Sequence, residues 1–296
     1  MAYRIRGYRT GDDREFLAFD AAAAKDWAWP IAFDAESLRR VVENPDFSPE
    51  LFLLAFDGDR LVGHSNSLRM GVNARGEKTA VIFFPRTLPG HEEARQPLVD
   101  ALCVSLRARG VRAVEMWGCT MWAHSFEWNE THGFCESADR PRGYKIYMTY
   151  DLAVPLPPQD HSWVRPVSSD EDRWEAAQLA RIWYRQPAPL CLKTIRRMEP
   201  EGLAHLVVQQ NDRIVGACLA AESDVRKGLV AIQYIYVENA PALRQLLAGV
   251  MNACRAAAMD TLLVDLVNEH RHFEPTYRAL GFRKAAEFAV YEKGLG

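Results

Sequence analysis

What this sequence lacks narrows its chemistry first. It has no run of about eighteen consecutive apolar residues, so it offers no membrane-spanning helix. Its opening, MAYRIRGYRTGDDREF, has no basic segment followed by an apolar stretch of the kind that directs secretion. A soluble, cytoplasmic protein is expected. Cysteine is scarce and scattered: Cys103, Cys119, Cys135, Cys191, Cys218 and Cys254 form no Cys-x-x-Cys pair. That argues against a disulfide framework and against a zinc knuckle. The cysteines read as reduced thiols, mostly in the core, with Cys119 alone at a predicted strand end where a reactive thiol would sit. At 270–272 the sequence HRH offers two histidines without a third ligand at a standard spacing, so no metal site is expected. There is no long basic run either. Mixed charges summing to −3 and a pI near 6.3 exclude a partner read through its phosphate backbone.

What is present is a chain of 296 residues, 48% of them hydrophobic, about twice the length of a typical ~150-residue domain. Internal similarity says how it divides. IRGYRTGDDREF from Ile5 matches VRPVSSDEDRWE from Val164. LFLLAFDGDRLVGHSNS (51–67) matches LAHLVVQQNDRIVGACLA (203–220), and THGF ending at Phe134 matches ALGF ending at Phe282. The separation between matched stretches shrinks along the chain, as expected of a tandem duplication whose first copy carries extra loop residues. Asp57-Gly58-Asp59 and Asn211-Asp212 predict hairpin turns. Leucines at 98, 102 and 106, and apolar residues at 243, 246, 247, 250, 251 and 254, predict a helix in each copy, the first ending at Gly110. Each half reads β-α-α-β-β-β-α-β-α-β. Three prolines in AVPLPPQDHS (153–162) place the boundary there, giving domains 1–152 and 163–296.

This order, with Val-Gly in the hairpin's second strand and Asn268 followed by Tyr277-Arg-Ala-Leu-Gly281-Phe282, resembles the GNAT superfamily of acyl-CoA-dependent N-acyltransferases. The resemblance spans the chain twice. It implies an α/β fold (α+β, with a mixed sheet) in two tandem GNAT-like domains, acetyl-CoA or another acyl-CoA as cofactor, and the amine of a small molecule as acceptor. It also implies a monomer with pseudo-dimeric halves or a homodimer. Asn268 would contact cofactor or substrate, and the backbone of Ile235, Tyr236 and Val237 would be the edge along which pantetheine lies. Tyr277 would be the general acid. The chemistry is independent of the likeness: a phenol with a pKa near 10 is protonated at neutral pH and can give its proton to a departing thiolate. The competing reading is a core tyrosine on a short amphipathic helix. In the first copy Asn129 takes this position, and an amide cannot protonate a thiolate, so the second half is the expected catalytic half.

The phosphate-binding loop departs from the family's pattern in both copies. That pattern, [QR]-x-x-G-x-[GA], lets backbone N–H groups approach a pyrophosphate at a helix N-terminus. In VENAPALRQLL (237–247), Pro241 and Leu243 replace the glycines. In PRTLPGHEEARQPL (85–98), Gly90 survives beside Glu92 and Glu93, whose charge repels phosphate. Arg244 is the residue able to compensate, by a charge-assisted bond. Glu238, at the end of the central strand, is the expected base. Tryptophans in DWAWP and MWGCTMWAHSFEW, namely Trp27, Trp29, Trp117, Trp122 and Trp128, suggest an aromatic-lined pocket, with Trp27, Trp29, Trp122 and Trp128 as the expected substrate contacts. The alternative function is a GNAT-fold protein that has lost CoA and binds or transforms a small ligand there.

Overall fold

The structure is a computed structural model describing residues 3–25, 32–67, 69–73, 76–122, 124–155, 163–184, 187–223 and 227–296, and only the backbone of 69, 182–184, 201, 268 and 269. Two compact units form, one from 1–144 with 286–296, the other from 145–285. In the first unit the order is β1 (Arg4–Gly7), α1 (Asp13–Ala24), α2 (Ala35–Val42), β2 (Phe52–Asp57), β3 (Arg60–Asn66), β4 (Arg69–Val72), β5 (Lys78–Ile82), β6 (Arg86–Thr87), α3 (Arg95–Ala108), β7 (Ala113–Cys119), α4 (Ser125–Thr131) and β8 (Cys135–Glu136). In the second, β9 (Lys145–Asp151) and β10 (Val164–Pro166) are followed by α5 (Asp170–Tyr184), α6 (Ala188–Met198), β11 (Gly202–Gln210), β12 (Arg213–Glu222), β13 (Leu229–Val237), α7 (Ala240–Ala256), β14 (Thr261–Val267) and α8 (Glu274–Ala279). The chain ends in β15 (Arg283–Gly294).

Local expectations hold where local chemistry decides. Asn211 and Asp212 both take positive φ, 50° and 58°, as a two-residue hairpin turn requires, and Gly110 ends α3 at φ 78°. The duplicated start of each copy builds the same device: Arg6 bonds both oxygens of Asp12, and Arg165 both oxygens of Asp172. The repeated Val-Gly has a packing cause. A Cβ on Gly216 would come within 3.0 Å of Leu246 on α7 and 3.1 Å of Val237, and one on Gly63 within 3.2 Å of Leu98 on α3. Helix and hairpin approach too closely for a side chain between them. Gly216→Val should therefore cost about 1–3 kcal/mol of stability by overpacking, read as a lower urea midpoint with an unchanged slope.

The unit boundaries differ from the domain limits drawn at 152 and 163. β9, the last strand of the first copy, belongs to the second unit, where all seven of its residues pair antiparallel with β14, from Thr261 opposite Asp151 to Val267 opposite Lys145. Residues 288–294 of β15, the last strand of the second copy, pair with β7 in the first unit. Each copy has given its final strand to the other unit. Ile146, Met148 and Tyr150 enter the core of the second, and Ala289, Tyr291 and Leu295 that of the first. Duplication makes this exchange inexpensive, because β7 and β14 present equivalent edges and either last strand satisfies the same backbone hydrogen bonds.

The sheet of the second unit runs β10-β11-β12-β13-β14-β9. Its two faces have different cores. Val230, Ile232, Ile235 and Val237 of β13, with Leu262, Val264 and Leu266 of β14, meet α7 and α8 on one face. Tyr234 and Tyr236 meet α5 and α6 on the other. Period-two alternation of the strands divides the side chains in this way.

Candidate functional site

β13 and β14 are parallel partners over only three pairs, Leu229 with Thr261 through Ala231 with Leu263. Beyond these they part. Between β12 and β13 the register slips, so that Leu219 faces Tyr234 while Ala220 faces Ile232. Gln233 is the extra residue of this bulge and is exposed. A bulge leaves a residue unmatched in the ladder and bends its strand. The result is a cleft of about 390 Å³ lined by Ala231, Ile232, Gln233, Tyr234, Ile235, Leu263, Asp265, Val267, His270 and Tyr147. Leu263, Asp265 and Val267 alternate with the β14 residues that enter the α7–α8 core, so they project from the opposite face.

One wall is tied down by a polar chain. Arg173 on α5 bonds both carboxylate oxygens of Glu199, Glu199 accepts from Nδ1 of His205 at 3.0 Å, and Nε2 of His205 accepts the Tyr234 hydroxyl. Burial holds the His205 imidazole below its usual pKa despite Glu199, which favours the neutral ring that this chain needs. Tyr234 is thereby locked as a fixed surface. Asp265 sits deeper in chemistry than in depth. Its side chain keeps 38% of its accessibility, yet the surrounding protein pushes its carboxyl above the usual range, against the opposing pull of Lys145 at 2.7 Å.

The residues expected to act from the sequence distribute unevenly. Ile235 lines the cleft, and the backbone of Ile235, Tyr236 and Val237 pairs with β12 on one side only, so the edge facing β14 has no strand partner there. That edge fits an extended thioester arm. Tyr277 is buried in the α7–α8 core, its ring edge-on to Phe282 at 5.2 Å, and it is not among the cleft's lining residues. Burial, with Cys218 nearby, raises its phenol well above the ordinary value, so it stays protonated. The side chain of Asn268 lies outside the described residues.

Glu238 is a correction. Its carboxylate is held by Arg213 in a separate hollow beside Glu175 and Arg181, and it does not reach the cleft. Trp122 and Trp128 are half-buried and pack with Phe84 on the first unit's core, Trp122 stacked at 6.2 Å and Trp128 edge-on at 5.6 Å, and neither lines the cleft of the second unit. Phe84 follows β5 just after its last parallel pair with β7, so aromatics occupy the place where that copy would open. Trp27 and Trp29 lie outside the described residues. Cys119 is fully buried, and among the described residues no group of three His, Cys, Asp or Glu side chains could hold a metal ion.

Neither helix N-terminus fits a pyrophosphate. Asn239 caps α7 by accepting the Ala242 N–H at 2.9 Å, the Leu243 N–H is taken by the Asn239 carbonyl, and Pro241 has none to give. In the first unit Gly90 donates its N–H to Glu92 at 3.2 Å. The N–H groups of Ala242, Leu243 and Gly90, which an anion at these places would use, are engaged by the chain itself. Arg244 is exposed on α7 and makes no ion pair among the described residues.

Sequence reading missed Asp265 and Tyr147. The signal for the first was available: a single acid inside the apolar run TLLVDLV, on the opposite parity from Leu262, Val264 and Leu266. Tyr147 was hidden, because only the strand exchange brings it here.

A mixed sheet that opens between two parallel strands, with a helix after each, is the GNAT fold, and both halves of the chain supply its elements; the chain has a tandem GNAT fold. Comparison with solved structures bears this out over the whole length. A GCN5-related N-acetyltransferase from Sphaerobacter thermophilus is similar at TM-score 0.71 and 18% identity, covering 99% of this chain and 96% of that one. A tandem GNAT protein from the clavulanic acid biosynthesis pathway is similar at TM-score 0.70 and 14% identity, covering 100% and 99%. A glucosamine N-acetyltransferase region of a fungal multi-domain β-N-acetylglucosaminidase gives 0.67 and 14%, covering 99% of this chain and 38% of that one. No family model and no curated protein matches the sequence. No described helix is long and apolar enough to cross a membrane.

Proposed function

We propose that this chain transfers an acyl group, acetyl being the simplest, from an acyl-CoA thioester to the amine of a small molecule, in its second unit and in the cytoplasm. The observation that carries the reading is the cleft, where β13 leaves β14 after three pairs and exposes a bulged backbone edge at Gln233. Such an edge holds an extended thioester arm by main-chain hydrogen bonds, which side-chain divergence does not erase. Tyr277 keeps its proton and has the chemistry to protonate a thiolate leaving group, a role that requires the thiolate to approach the α7–α8 core from the cleft, whose lining does not include Tyr277. The acetyltransferases of like fold support the same class of reaction.

The two engaged loops favour a second reading, in which CoA is no longer used and the cleft serves another small ligand. Titration calorimetry with acetyl-CoA separates them. With two backbone contacts to phosphate missing, binding should be saturable but weak, down by roughly a hundredfold. Arg244→Ala should weaken it further. No heat at millimolar acetyl-CoA would overturn the first reading and favour the second.

A further inference from the structure

Asp265 has no part in the reading above, yet among the described residues it is the one carboxylate that lines the cleft. It stands on β14 between Leu263 and Val267, opposite Tyr147 of the exchanged strand β9. The chain itself illustrates what this place attracts. The Lys145 ammonium lies 2.7 Å from Oδ2 of Asp265 and 5.1 Å from the centre of the Tyr147 ring, so an alkylammonium is already seated between a carboxylate and an aromatic face. Lys145 satisfies only one oxygen. Oδ1 of Asp265 is buried without a hydrogen-bond partner, and an N–H donor arriving from the cleft would satisfy it only by turning the carboxylate and competing with Lys145 for it. The remaining wall is mostly apolar or aromatic, from Ala231, Ile232, Ile235, Leu263, Val267 and Tyr234, with Gln233 and His270 as its polar members.

We infer that the cleft selects a cationic primary amine carried on an apolar body, and that Asp265 is the residue that anchors its ammonium group. The assignment rests on the acyl-transfer reading only in making this amine the acceptor. Three features converge on the class of ligand. A single described acid, already paired with the one ammonium of Lys145, suits exchange for one positive charge rather than a divalent ion. The cavity of about 390 Å³ is at the lower end of small-molecule sites and suits a compact ligand. The fixed Tyr234 surface, with the Tyr147 ring on the exchanged strand, favours a hydrocarbon or aromatic body next to the charge. An anionic acceptor would meet Asp265 and a mostly apolar wall together, and both would disfavour it.

The test uses the full chain without any CoA, and compares 2-phenylethylammonium with 2-phenylethanol, which has nearly the same shape but no charge. By calorimetry or ligand-observed NMR at pH 7 the ammonium probe should bind about ten- to a hundredfold more tightly, the range of one charge-assisted bond. Asp265→Asn should remove the preference and leave the alcohol's affinity within about threefold. Lys145→Gln should act in the opposite direction, raising ammonium affinity because the internal competitor is gone, so a folding defect in one variant does not decide the matter. Equal affinity for the two probes, failure of both to bind, or a preference that survives Asp265→Asn overturns the assignment. An intact preference with no acetyl-CoA binding upholds the anchor and overturns acyl transfer alone.

Discussion

Cut between residues 152 and 163, this chain should give two fragments that do not fold alone. Fragment 1–152 loses residues 288–294 of β15, which pair along the whole of β7, and with them the fully buried Ala289 and Tyr291. Removing even one large buried side chain costs about 3–5 kcal/mol against a total stability of about 5–15. Fragment 163–296 loses β9, which pairs along all of β14 and supplies Ile146, Met148 and Tyr150 to the core. Each fragment also carries a final strand without its native partner, and an unpaired apolar strand invites association. Each alone should show no cooperative urea transition, and the two mixed should regain one. A cooperative melt from fragment 1–152 by itself would mean that β9 swings back onto β7, and that the exchange is a preference rather than a requirement.

Tyr277→Phe should lower acetyl transfer by about 10²- to 10⁴-fold if the phenol protonates the leaving thiolate. The ring's place is set by packing: it is buried beside Phe282, and phenylalanine fills the same volume. Stability should therefore change by no more than about 1 kcal/mol. The measurement is thiol release from acetyl-CoA in single turnover, beside a urea titration of the same protein. Unchanged turnover would identify water as the proton source and leave Tyr277 a core residue. A large loss of stability would say that the hydroxyl, rather than the ring, holds α8 in place.

Much of the site depended on distances that no local pattern carries. Glu238 was a reasonable base on its position at a strand end, but Arg213 begins the neighbouring strand and neutralises it. The tryptophans of the first copy were legible as an aromatic cluster. Whether such a cluster lines a pocket or fills one depends on what stands behind it, and here Phe84 does. The loops show the opposite case. Pro241 and Glu92 were readable as poor neighbours for phosphate, and the structure adds why: Asn239 and Glu92 occupy the donors themselves. It also makes Leu243 a fully buried core residue, so a glycine there would open a cavity before it could restore a cradle.

The sequence by itself determined the duplicated order of elements, the turns, the Val-Gly contacts and the missing glycines of the two loops, because periodicity, φ preference and missing N–H groups are properties of neighbouring residues. Only the tertiary structure decided which last strand docks on which edge and what faces the cleft. Two equivalent edges compete for two similar strands, and backbone hydrogen bonding alone does not distinguish them; what differs is the side chains each strand brings, Ile146, Met148 and Tyr150 to one core and Ala289 and Tyr291 to the other. That choice sets Tyr147 opposite Asp265, and the parity of β14 turns the acid away from the core and into the cleft.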